Sequence, residues 1–194
     1  MLRSFVAVAL PDACAPAIES LRRALAGAAA GLRWVRADGA HVTLAFLGDL
    51  ARERVPDVVR RLEEAARAST PFPVELGGLG VFPHPRRATV LWLGIRDPSG
   101  GLARLQREVA AGLTLEGFVL DDRPFEPHVT LGRWRDPPEP ARVEAVLGAR
   151  APMPEDAWMV RDVRLMESRL AAGGSVYTIV NALPLGASEG AERR

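Results

Sequence analysis

The chain has 194 residues, a formal net charge of +1 at pH 7 and a hydrophobic content of 48%. That length admits one domain or two small lobes, and that hydrophobic fraction is ordinary for a packed globular protein. The near-zero net charge excludes a strongly basic nucleic-acid coat and an acidic tail, while allowing the local basic patch that a small anionic ligand needs.

All 25 basic residues are arginine, which we read as the mark of a GC-rich genome. Cys14 is the only cysteine, so neither an intramolecular disulfide nor a cysteine-based metal cluster can form. That usage fits a reducing cytoplasm, the expected location.

In chain order, residues 5–10 read as a buried strand. Pro11-Asp12 closes this apolar run before it reaches the roughly 7–15 residues of a secretory core. Residues 15–28 form a helix by the spacing of Ile18, Leu21 and Leu25. A short strand over 32–35 leads to a turn at Ala37-Asp38-Gly39, and a strand over 41–47 follows. Residues 53–68 give the clearest helix, with Val55, Val58, Val59, Leu62 and Ala66 on one stripe and a solvated face of arginines and glutamates opposite. Pro71 and Pro73 stop it. A strand is expected over 74–79, and the glycines and prolines of 77–85 read as a loop or crossover containing His84. Then come a strand over 88–95, a helix over 101–113, a loop at 121–124, a strand over 127–134 and a short helix over 141–147. Strands over 158–168 and 175–182 are joined by a hairpin signal at 171–174, and residues 187–194 read as a frayed tail. No stretch approaches the ~20 apolar residues of a membrane span.

One tetrapeptide occurs twice: His41-Val42-Thr43-Leu44 and His128-Val129-Thr130-Leu131, which use two of the three histidines. In a strand, residues i and i+2 share a face. Each His therefore projects beside its Thr, and Val and Leu project to the other face. Imidazole titrates near neutrality, with an ordinary pKa of about 6.5, and a threonine hydroxyl donates to anionic oxygen. Two such pairs across a cleft supply a base, an acid and two hydroxyls for one anion, a kit for in-line displacement at phosphorus. A lone His in a strand is more often structural; an identical repeat in both halves weighs against that. The elements before and after each motif also repeat. Val6 to His41 is 41 − 6 = 35 positions, and Leu91 to His128 is 128 − 91 = 37. This points to an internal duplication, roughly 4–80 and 88–168, within a single bilobal domain over 1–183 that includes a terminal hairpin over 158–182.

Two such motifs in a chain of this size resemble the 2H phosphoesterase superfamily and, within it, the RNA 2′,3′-cyclic phosphodiesterases, also called 2′-5′ RNA ligases. Arg3 to Val8 (RSFVAV), Arg87 to Trp92 (RATVLW), Phe125 to His128 (FEPH) and Leu165 to Leu170 (LMESRL) are similar to the same family. The resemblance implies an α+β fold in which two pseudo-symmetric lobes of antiparallel sheet, flanked by helices, enclose a central cleft. It implies a metal-independent enzyme without cofactor that hydrolyses RNA 2′,3′-cyclic phosphate ends to 2′-phosphates, with 2′-5′ ligation by the same site. His41 would be the proton donor and His128 the acceptor, a division that two identical motifs cannot make by themselves. Thr43 and Thr130 would hold the non-bridging oxygens. The family has a basic residue where Arg133 stands. Arg133 falls on the far strand face unless a bend or bulge after Gly132 brings it round; the first motif has Phe46 at the equivalent place. Among aromatic residues Phe125, beside His128, is the first candidate for base stacking, ahead of Phe5, Trp134 and Tyr177. The expected partner is an RNA terminus or nucleotide with a 2′,3′-cyclic phosphate, bound by a monomer, with a pH maximum near neutrality.

Three other readings compete. Two His and two Thr are poor zinc ligands, with no Cys or H-x-x-E to complete a metal site. A non-catalytic module for nucleotides or RNA ends would not need two titrating groups. A related 2H enzyme could act on another cyclic or 2′-5′-linked nucleotide.

Overall fold

A computed structural model describes residues 1–37, 39–149, 157–171 and 174–186. The tail expected over 187–194, the tip of the terminal hairpin at 172–173, and Asp38 of the first turn lie outside the described residues. In chain order the elements are β1 (Leu2–Ala9), α1 (Ala15–Leu25), β2 (Leu32–Trp34), β3 (His41–Leu50), α2 (Val55–Arg67), β4 (Phe72–Phe82), β5 (Val90–Arg96), α3 (Gly101–Leu115), β6 (His128–Trp134), α4 (Pro140–Leu147), β7 (Trp158–Val160), β8 (Asp162–Ala171) and β9 (Gly174–Pro184).

Among the described residues the strands form two antiparallel sheets, ordered β3-β1-β8-β9 and β2-β6-β5-β4-β7. This is the α+β arrangement of paired sheets that the family resemblance implies. Each sheet draws strands from both halves of the chain. β8, from the second half, pairs with β1, and β4, from the first half, pairs with β5. Among the described residues the main apolar core spans both sheets and α1 to α4, and it gathers Leu21, Leu62, Leu102 and Val143 of the helices with Val6, Leu91, Leu131 and Leu165 of the strands.

Three elements of the fold depart from expectation. The glycine-rich stretch expected as a loop is the second half of β4. Gly80 is there because β5 demands it: a Cβ at Gly80 would lie 2.1 Å from the ring of Trp92, its cross-strand partner. In sequence, a glycine that makes room for a neighbouring strand reads the same as one that makes a turn. The strand expected over 158–168 is two strands in different sheets, β7 on β4 and β8 on β1. The arginines expected as a solvated face on α2 include a clamp: Arg60 and Arg61 reach the Glu116 carboxylate at 2.9 and 2.7 Å, just past the end of α3. Arg54 donates to the Glu116 carbonyl at 2.7 Å. These bonds fix α2 against α3, and they hold the Glu116 carboxyl below the usual range, chiefly through the hydrogen bond from Arg61.

Candidate active site

Both tetrapeptides have the same burial pattern. His and Thr are half-buried, and Val and Leu are buried, at 1% and 4% exposure in β3 and 2% and 3% in β6. Burying each such aliphatic side chain contributes about 1.5–3 kcal/mol, so the core anchors the back of each motif and turns its front outward. The two fronts meet. His41, Thr43, His128 and Thr130 line one cleft of about 580 Å³, and β3 and β6 make direct contacts.

The alternation then breaks at the same step in both strands. In the β1–β3 ladder Val6 pairs with Ala45 and Ala7 with Thr43, so Leu44 is skipped. In the β5–β6 ladder Leu91 pairs with Gly132 and Trp92 with Thr130, so Leu131 is skipped. Each motif thus ends on a β-bulge, and a bulge reverses the face on which later residues project. This brings Arg133 and Phe46 to the cleft, which both line. The bulge that turns Arg133 round is at Leu131, before Gly132 rather than after it.

Each imidazole is held by its own backbone. His41 Nδ1 lies 2.8 Å from the Gly39 carbonyl oxygen, and His128 Nδ1 lies 2.6 Å from that of Glu126. A carbonyl only accepts, so Nδ1–H is the donor in both rings. The tautomer is therefore fixed, and Nε2 of each ring is left to gain or lose a proton. Gly39 has φ +92°, the left-handed region that glycine enters without strain, and that turn aims its carbonyl at His41. The carbonyl two residues back has no signature in a motif of side chains, so the sequence reading missed it.

Aromatic rings flank both imidazoles. His41 packs on Phe5 at 4.7 Å and meets Tyr177 edge-on at 4.8 Å between centroids. His128 meets Phe82 edge-on at 4.9 Å and Trp92 at 5.8 Å. This burial lowers the pKa of both histidines, and it outweighs the raising effect of the two carbonyl hydrogen bonds. The two rings also repel each other's protons, so a charge on His128 lowers His41 further; at His128, Glu126 raises and Arg133 lowers. The rings belong to one electrostatic site with unlike surroundings.

Phe125 is not part of it. It is partly buried against the apolar core, as are Phe118 and Leu120 before it, and it does not line the cleft. Phe5, Phe46 and Tyr177 line the cleft, and Phe46 is 65% exposed. Trp134 is buried at 5%, and His84 accepts from the Arg86 N–H in a turn outside the cleft lining. Among the described residues no three His, Cys, Asp or Glu side chains converge where they could hold a metal ion. No helix among them is long and apolar enough to cross a membrane.

Comparison with known proteins places the arrangement. The family model of the 2′-5′ RNA ligase superfamily matches residues 10–171. An RNA 2′,3′-cyclic phosphodiesterase of Thermus thermophilus is 31% identical over 207 aligned positions, covering 99% of this chain and 94% of the relative. One of Archaeoglobus fulgidus is 32% identical, covering 91% and 96%. Among solved structures, TT0787 of Thermus thermophilus superposes with a TM-score of 0.79 at 28% identity over 95% of this chain and 98% of that one. Escherichia coli LigT complexed with 3′-AMP superposes with a TM-score of 0.75 at 28% identity, over 96% and 99%. Family model, relatives and fold agree with the paired motifs that face one cleft: the chain belongs to the 2′-5′ RNA ligase superfamily.

Proposed function

We propose that this protein opens RNA 2′,3′-cyclic phosphate ends to 2′-phosphomonoesters by two-histidine acid–base catalysis. The observation that carries the reading is the pair of imidazoles at one cleft, each fixed through Nδ1 with Nε2 left to titrate and a threonine beside it. His128 accepts a proton from water as its oxygen attacks phosphorus. His41 donates a proton to the 3′ oxygen as the P–O3′ bond breaks, and the phosphate stays on the 2′ oxygen. Thr43 and Thr130 donate to the non-bridging oxygens, and Arg133 offsets the negative charge beside them. Phe46, exposed on the cleft, presents a ring to the terminal base. With a 5′-hydroxyl in place of water, the same displacement makes a 2′-5′ bond. Both motifs of one chain line one cleft, so a monomer is complete, and the single cysteine suits a cytoplasmic enzyme.

Incubation with a short RNA bearing a 2′,3′-cyclic end tests this. A 2′-phosphate product, formed equally well in EDTA, is expected. A 3′-phosphate product would reverse the leaving group and overturn the assigned proton donor, and loss of turnover in EDTA would overturn the metal-independent mechanism.

A further inference from the structure

The edge strand of the second sheet carries a charge that the proposed chemistry does not use. β2 pairs with β6 so that Arg33 lies directly opposite Arg133. Directly opposed residues of an antiparallel pair share a face, with Cβ atoms about 4.5–5.5 Å apart. Arg133 lines the cleft, and so does Val35, two positions after Arg33. The Val35 N–H donates to the Leu131 carbonyl at 2.8 Å, so β2 stays hydrogen-bonded to β6 past Arg33. Leu32 and Trp34 take the other side and pack on the core. Arg33 therefore projects from the cleft side of the sheet, one strand further out than Arg133.

Like charges placed directly opposite destabilise a strand pair. Among the described residues no carboxylate pairs with either arginine, whereas Arg22, Arg96 and Arg164 all have one. Both side chains are exposed. Two guanidinium forks side by side suit two neighbouring phosphates of one strand, since each fork offers two parallel N–H donors to one of them. β2 is the last strand of its sheet, so a polymer leaving the cleft past Arg133 crosses it with no further strand in the way.

We propose that Arg33, beside Arg133, forms a second phosphate subsite that takes the phosphodiester one nucleotide upstream of the cyclic end. The enzyme then favours an RNA strand over a mononucleotide. This rests on the function proposed above.

The test compares a nucleoside 2′,3′-cyclic phosphate, a dinucleotide with the same cyclic end, and that dinucleotide with a neutral methylphosphonate linkage. In the wild-type enzyme the dinucleotide should have about tenfold the kcat/KM of the mononucleotide, the scale of one charge-assisted hydrogen bond, and the methylphosphonate should erase the advantage. Arg33→Ala should reduce the dinucleotide-to-mononucleotide ratio by the same factor and make the methylphosphonate silent. Arg33→Lys, a point charge without the fork, should keep part of the ratio. The subsite is overturned if the dinucleotide has no advantage, or if the Arg33→Ala and methylphosphonate losses multiply. If the wild-type enzyme turns over no cyclic phosphate, the proposed function fails, yet binding of a dinucleotide with a 2′-phosphate end still reads the subsite. The slope of log affinity against log salt should then fall by about 0.7 in Arg33→Ala, and an unchanged slope overturns the proposal.

Discussion

Burial lowers the imidazole pKa at both His41 and His128, and this sets the pH at which the proposed reaction runs. One ring must be neutral and the other protonated. With both values below about 6.5, the singly protonated free enzyme is most abundant on the acid side of neutrality. The kcat/KM profile should therefore be bell-shaped with its maximum below pH 7, lower than the ordinary value of histidine alone would place it. A bound phosphate anion favours the imidazolium, so the kcat maximum should sit at higher pH. A kcat/KM that still rises above pH 8 would contradict this. The same shift bears on stability. Below the unfolded value of about 6.5 the unfolded chain binds more protons than the folded one, so stability rises with pH through that window and is lost as pH falls. Urea midpoints measured from pH 7.5 down to 5 should fall, and by less in a His41→Gln variant. His41→Ala and His128→Ala should each lower kcat by roughly 10²–10⁴-fold, and Thr43→Ala or Thr130→Ala by roughly 10–100-fold, in single-turnover assays.

Two elements decide what stands around these residues. The bulges at Leu44 and Leu131 reverse the projection of β3 and β6, and they put Phe46 and Arg133 at equivalent places on the cleft. The site is thereby asymmetric, with the Phe46 ring on the cleft after the first motif and the Arg133 cation after the second. The second is the β4–β5 pair, where Gly80 lets the Trp92 ring lie flat on β4 and against His128. Gly80→Ala should push that ring toward His128. We expect a loss of about 1–3 kcal/mol in stability, the usual cost of overpacking, together with a displaced His128 signal in NMR titration. Unchanged stability and an unchanged titration would show that Trp92 moves aside freely.

Over the whole molecule, the two halves of the chain are interleaved. β1 needs β8, and β5 needs β4, so neither sheet is complete without strands from both halves. Unfolding should therefore be one cooperative transition. The four tryptophans test this directly, since Trp34, Trp92, Trp134 and Trp158 all sit in the second sheet. Their fluorescence reports that sheet, while far-UV circular dichroism reports the whole chain. Urea curves from the two probes should coincide, and a fluorescence midpoint separate from the circular dichroism midpoint would show that the sheets unfold independently.

Strand alternation is fixed by backbone geometry within a few residues, so the sequence alone determined that His41 and Thr43 share one face, that His128 and Thr130 share another, and that Val and Leu anchor both from behind. The helical stripes of α1, α2 and α3 were legible for the same local reason. Tertiary structure alone decided which strand lies beside which. Pairing partners are distant in sequence and are chosen by the fit of whole faces. That choice made a strand of the glycine-rich stretch after Leu76, divided the chain at Arg161 between two sheets, and placed the skipped leucines that carry Arg133 to the cleft. It also laid Phe125 against the core and left Phe46 in the open, a distinction between two phenylalanines that composition and spacing do not contain.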